Sequence, residues 1–240
     1  MSRSLACVVL LVVQAGCISK ASSSGIKTSQ LVASISGSTD GRGTLSVAAT
    51  LQLADSLSTF VELGPGDLLT AKSGTEVQIL PKVELGHLVT YLQSSPGDEE
   101  DKSVIVSFDR GSGSVSAPDS ALTLPAKFNL LGPSANAAFV RGKDAIAVLW
   151  DNPGKTDQID VELDGPCIAP IVHLGTSDTG SLVITADELK PVRGREMATC
   201  SLTVTVLRVR AGKLDSAFTG GGSVSGIQSR RVSVKSGPSL

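Results

Sequence analysis

Residues Gly43–Leu53, GTLSVAATLQL, decide the fold. Leu45, Val47, Ala49, Leu51 and Leu53 take one parity, and Ser46, Ala48, Thr50 and Gln52 take the other. Side chains of an extended chain alternate between two faces, so this stretch predicts a strand with one face buried. The same texture continues outward. Thr59–Leu63 follows, then the turn Gly64-Pro65-Gly66-Asp67. Leu68–Lys72 and Thr75–Leu80 flank Ser73-Gly74, which predicts a tight hairpin. Leu85–Gln93 reads as one further strand, and Lys102–Asp109 as another with Val104, Val106 and Phe108 on one face. Ala121–Leu131 closes this region.

A second set of strands begins after Gly132-Pro133-Ser134-Ala135-Asn136-Ala137-Ala138, a stretch with linker composition. Ala145–Trp150 leads into the turn Asp151–Gly154, and Ile159, Val161 and Leu163 alternate with Asp160 and Glu162. Cys167–Leu174 and Ser181–Thr185 follow, and Ala186–Lys190 predicts one helical turn stopped before Pro191. Along Met197–Arg210 the apolar phase slips between Val206 and Leu207, which suggests a bulge or a strand changing sheets. Ala217–Gly226 is a glycine-rich loop whose triplet Gly220-Gly221-Gly222 is expected to be a mobile connection; Ile227–Lys235 is the last strand.

Strands at roughly ten-residue spacing, with hardly any helical period, predict an all-β sandwich or barrel. Parallel pairing is not expected, because no helical segment supplies crossovers. The expected organisation is two antiparallel β-sandwich domains, 31–131 and 144–236, joined by a linker at 132–143. Trp150 on an early strand, with Cys167 and Cys200 bordering later ones, resembles an immunoglobulin or fibronectin type III module. The resemblance is to architecture, since the two cysteines follow the tryptophan instead of flanking it. It implies an Ig-like sandwich for the second half.

Met1–Cys17, MSRSLACVVLLVVQAGC, sets the cellular context. One cation, Arg3, precedes the apolar run Leu5–Val13 and the small residues Ala15 and Gly16, the layout of a secretory signal over residues 1–16. At about nine residues the apolar run is too short to span a bilayer core. Val13-Gln14-Ala15-Gly16-Cys17 resembles the lipobox of bacterial lipoproteins, with Gln14 standing where that family usually carries an aliphatic residue. The resemblance implies that Cys17 receives a diacylglyceryl group, palmitate-type chains included, before cleavage on its amino side. The alternative is an ordinary cleaved signal with an incidental cysteine. Two or more acyl chains anchor stably where one does not. Residues 17–30 then read as the lipidated cysteine and a flexible polar leash. Ile18 replaces the Asp that marks inner-membrane retention in enteric lipoproteins, so the resemblance implies the outer membrane, on its periplasmic or surface face.

Export gives the cysteines a meaning. Of four, Cys7 lies in the signal and Cys17 carries the lipid, leaving Cys167 and Cys200 as an expected disulfide. Two buried thiols or a metal site are the alternatives, and no Cys or His stands close enough to complete a metal set.

Composition narrows function. A formal net charge of −2 lacks the basic face nucleic acid requires, so no nucleic-acid partner is expected. Aromatics at 3% leave few stacking platforms for sugars or peptides. The two histidines, His87 and His173, have no Gly-x-Ser-x-Gly elbow beside them and no second ligand at metal spacing. The loop Asp98-Glu99-Glu100-Asp101 holds consecutive carboxylates, where calcium loops alternate ligands, and reads as a solvated loop; Asp151-Asn152 with Asp157 is a weaker calcium candidate. Gly220-Gly221-Gly222 lacks the Lys-Ser/Thr that follows a phosphate cradle. Arg208, Arg210, Lys213, Arg230, Arg231 and Lys235 form a basic region expected on a solvated sheet face. The expected function is a non-enzymatic envelope lipoprotein without cofactor or metal, held to a membrane by its lipid. It would act as a scaffold or interaction module toward an envelope protein or polysaccharide. The alternatives are a polysaccharide- or peptide-binding module using loops at one end of a sandwich, and a hydrolase with an unfamiliar site.

Overall fold

In the computed structural model of the chain, residues 18–111, 113–154 and 156–238 are described. The expected signal and Cys17 lie outside them. The fold is all-β. Its first strands are β1 (Ser19–Ser22), β2 (Leu31–Thr39), β3 (Thr44–Leu53), β4 (Ser56–Glu62), β5 (Leu68–Ser73) and β6 (Glu76–Ile79). Then come β7 (Lys82–Leu85), β8 (Leu88–Pro96), β9 (Ser103–Asp109), β10 (Ala117–Thr123), β11 (Leu130–Gly132) and β12 (Ala138–Val140). The last six are β13 (Ile146–Trp150), β14 (Gln158–Asp164), β15 (Ile171–Ser177), β16 (Ser181–Ile184), β17 (Cys200–Ala211) and β18 (Gly222–Gly237).

One long sheet, with main path β1-β4-β3-β2-β18-β17-β14-β15, backs two smaller ones placed along its length: β10-β9-β5-β6 and β11-β13-β16. Each small sheet closes one core against the same face of the long sheet. The first core gathers Leu31, Ile35, Leu45, Val47, Leu51, Val104, Val106 and Phe108, with Phe108 stacked on Phe218. The second gathers Phe128, Val148, Trp150, Ile159, Val161, Leu163, Val204 and Val206. The alternating residues of β3 and β14 point inward as their period requires.

β17 and β18 form the antiparallel ribbon common to both bodies, paired from Cys200↔Ser236 to Ala211↔Ser225. The first half of β18 pairs with β2, and its second half pairs with β12. Close approach makes this crowding possible. Gly226 of β18 lies opposite Gly37 of β2, and a Cβ on Gly226 would stand 2.1 Å from the Thr123 carbonyl oxygen. The glycine pair lets β10 cross directly over the long sheet.

Several expectations are corrected. The sheet is mixed rather than antiparallel: β1 with β4, β12 with β18 and β18 with β2 are parallel. The strands between each pair supply the crossover that a helix would otherwise provide. The stretch 18–30, expected as a leash, is folded: β1 pairs along β4, Ser23 and Thr28 are buried, and Thr28–Gln30 is a 3-10 turn. The expected linker at 132–143 contains β12 and follows β11, both in the second body's sheets. The chain changes bodies earlier, between Leu124 in the first core and Phe128 in the second, and returns through Leu214, Ala217 and Phe218. Leu85–Gln93 is not one strand, because β7 and β8 turn back on each other around Gly86-His87. Neither a bulge nor a sheet change occurs at Val206, since β17 keeps continuous register with β14 and β18. The triplet Gly220–Gly222 packs on β2, where Cβ atoms at Gly220 and Gly222 would strike the Leu31 and Ala33 carbonyl oxygens.

Cys167 and Cys200 form a disulfide with Cα atoms 6.1 Å apart. Closing about thirty residues in this way stabilises by roughly 3–4 kcal/mol in the chain-entropy account. Buried Arg141 sits against it, donating to Cys167 Sγ at 3.1 Å and to the carbonyls of Glu196 and Ala198 at 2.8 and 2.6 Å.

Candidate functional site

The apolar slip at Val206 marks a polar belt. On β17 the inward parity runs Leu202, Val204, Val206, Arg208, Arg210, and on β18 it runs Val224, Gly226, Gln228, Arg230, Val232, Val234. Arg208 lies opposite Gln228 and Val206 opposite Arg230. The basic region expected on a solvated face therefore turns Arg208, Arg210 and Arg230 inward, between the two cores.

Arg208 is wholly buried. Its Nε lies 2.7 Å from Asp178 Oδ2, and its Nη atoms donate to the carbonyls of Ala126 at 2.9 Å and Asn152 at 2.7 Å. The guanidinium stands 4.8 Å over the Phe128 ring. Asp178 also accepts from Trp150 Nε1 and from the Gly154 amide, each at 2.6 Å. A buried ion pair offsets its desolvation only when other hydrogen bonds support it; here the Nη atoms find carbonyls, while Nε faces Asp178 without forming a well-aligned hydrogen bond. Arg210 holds Asp157 at 2.7 and 3.0 Å and Asp101 at 2.6 Å, and these carboxylates raise its pKa against the opposing effect of burial. Arg230 lies over the other side of the belt, 5.0 Å from the same Phe128 ring, and burial lowers its pKa.

At Asp157 and Asp178 opens a cleft of about 530 Å³ between Pro153, Gly154, Thr156 and the start of β14 on one side and residues 175–179 on the other. Each carboxylate is bound from beneath by an arginine, so the floor is charge-paired. The walls present Thr156, Gln158, Thr176, Ser177 and Thr179. Among the described residues this surface offers neutral hydrogen-bonding groups without an aromatic platform.

Apart from Asp157, the other sequence candidates lie away from this cleft. His87 is exposed in the β7–β8 turn. His173 on β15 meets Glu188 at 2.9 Å outside the cleft; the Thr185 amide and hydroxyl, and then His173, hold Glu188 below the usual carboxylate range. The acidic loop fans out to separate partners. Asp98 takes Lys127 at 2.8 Å and the Gly43 amide at 3.1 Å, Glu99 takes Lys102 at 3.1 Å, and Asp101 takes Arg210. Asp151 accepts from the Asn129 amide and side chain, which lower its pKa, and Asp157 belongs to Arg210. Among the described residues no three His, Cys, Asp or Glu side chains converge as a metal set. Sequence reasoning missed Asp178 and placed Arg208 on a solvated face, whereas it is wholly buried. The signal available was the parity of β17, which continues past Val206 with arginine in the inward position.

Neither protein-family models nor curated proteins match the chain.

Proposed function

We propose that the protein is a non-enzymatic bacterial envelope lipoprotein, tethered through Cys17 to the outer membrane, that acts as a rigid β scaffold. The observation that carries this reading is the β17–β18 ribbon: β18 pairs with β2 of the first body and with β12 of the second, while β17 lines the second core, so one continuous strand joins the two bodies. A strand of sixteen residues such as β18 spans about 50 Å, a useful reach from a membrane surface. Support for an Ig-like second body comes from its layers, β11-β13-β16 facing β18-β17-β14-β15 with β12 alongside β18. A second reading, polysaccharide binding, is favoured by the neutral polar cleft. In that case the scaffold presents the cleft to envelope glycan.

The test is fractionation of envelopes from the native host. Globomycin treatment, or Cys17→Ser, is expected to move the protein from membrane to soluble fractions; unchanged distribution in both arms removes the tether. Cross-linking of intact cells followed by capture is expected to return a stable envelope neighbour. For the glycan reading, Thr176→Ala with Gln158→Ala is expected to abolish retention on envelope polysaccharide without changing the fold.

A further inference from the structure

We infer that the end of the first body nearest Cys17 seats directly on the bilayer, with Leu57 and Leu85 as its contact residues. This inference rests on the lipoprotein reading above and adds the face and its occupant. Only Ile18 separates Cys17 from β1, so at 3.3–3.6 Å per residue the acyl carrier lies within about 7 Å of Ser19. Ile18 itself packs against the first core, and Ser19 binds Thr59 at 2.8 Å, which leaves no slack at the tether.

Strand registers then show what shares that end. β1 pairs Ser19 with Thr59, and β3 pairs Leu53 with Ser56 around the β3–β4 turn. Leu57 follows immediately, 59% exposed, with its carbonyl held by the Gln52 side chain. β8 meets β3 at Tyr91↔Ala49, so Leu88 and the Gly86-His87 turn extend three positions further toward the same end. Leu85 at that turn is 71% exposed. Two apolar side chains on separate turns thus stand in water beside the tether point. Beside them Lys20 bridges Glu62 and Glu84 at 3.2 and 3.1 Å, and Lys82 takes Glu84 at 2.6 Å, so these charges neutralise one another. An end held within a few ångströms of headgroups, with two exposed leucines, charge-paired lysines and glutamates, and a single exposed carboxylate at Asp55 in the β3–β4 turn, matches the acyl–headgroup boundary of a bilayer.

The experiment uses the full chain expressed in a bacterial host, with an environment-sensitive dye on Leu57→Cys, on Leu85→Cys or, as a distant control, on Leu174→Cys, each in a Cys7→Ser background. Intact mass reads acylation at Cys17. The acylated protein is then placed in vesicles of phosphatidylethanolamine and phosphatidylglycerol. Expected are blue-shifted emission at positions 57 and 85, quenching there by lipids carrying a doxyl group, and water-like emission at 174. Acylated protein with water-like emission at 57 and 85 overturns the seating and leaves the anchor standing. Unacylated protein overturns both.

Discussion

Two buried arginine–aspartate pairs use the same parts in different places. In the first body, Arg110 lies 3.1 Å from Asp67 and 4.9 Å over Phe108, and donates to the carbonyls of Ser23 and Ile26. Asp67 accepts from Ser23 Oγ and the Gly111 amide. At the belt, Arg208 lies over Phe128 and donates to carbonyls, while Asp178 accepts from Trp150 and the Gly154 amide. Each set joins a ring, an ion pair, backbone carbonyls and a glycine amide. The first pins a terminal segment onto one core; the second fastens the passage between two. The same chemistry gives local order in one place and joins two bodies in the other.

The largest expected effect comes from cutting the belt. Arg208→Ala leaves Asp178 charged and buried, and should destabilise by about 3–5 kcal/mol in urea unfolding. Arg208→Met with Asp178→Asn removes both charges and should lose less than the single change. Equal losses would show that the pair is not coupled. Arg110→Ala should cost about 2 kcal/mol, because releasing 23–28 lets water reach Asp67. Its distinguishing sign is faster hydrogen exchange confined to residues 23–30, whereas the belt variant should speed exchange in both bodies. Uniform exchange in both variants would erase the contrast.

The smallest effect lies at the rim. Lys82, then Lys20, hold the exposed Glu84 carboxyl down to about 2. A carboxylate lowered in the folded state favours folding above its unfolded pKa, and that contribution fades as pH falls from about 4.5 toward 2. Lys82→Ala should raise the Glu84 midpoint, followed by NMR, with no resolvable change in the urea midpoint. A shift in stability comparable to Arg110→Ala would contradict the ranking of buried over surface pairs.

Alternation made β3, β9 and β14 legible, because their inward residues are simply apolar. The disulfide was legible too, since only two cysteines follow Cys17. The belt was not. Arg208 meets Asp178 thirty residues back in the chain and Phe128 further still, and an arginine by itself reads as solvated. β7 and β8 escaped because their apolar residues continue through a two-residue turn without a break in texture. The parallel pairs escaped because no local pattern reports a neighbour supplied from the far end of the chain. For the cleft, the hydroxyls and Gln158 were visible as residues, but their convergence depends on the pairing of β14 with β15.

The shared ribbon also bears on the order of events during folding. β17 and β18 come last among the described strands, yet β17 lines the second core and β18 contributes Val224 to the first and Val232 and Val234 to the second. Earlier strands emerge into a chain whose middle is still missing, and contacts between β2 and β18 must close across most of its length. The pairing of β2 with β18, and with it the join between the two bodies, therefore forms only once the last strand is present.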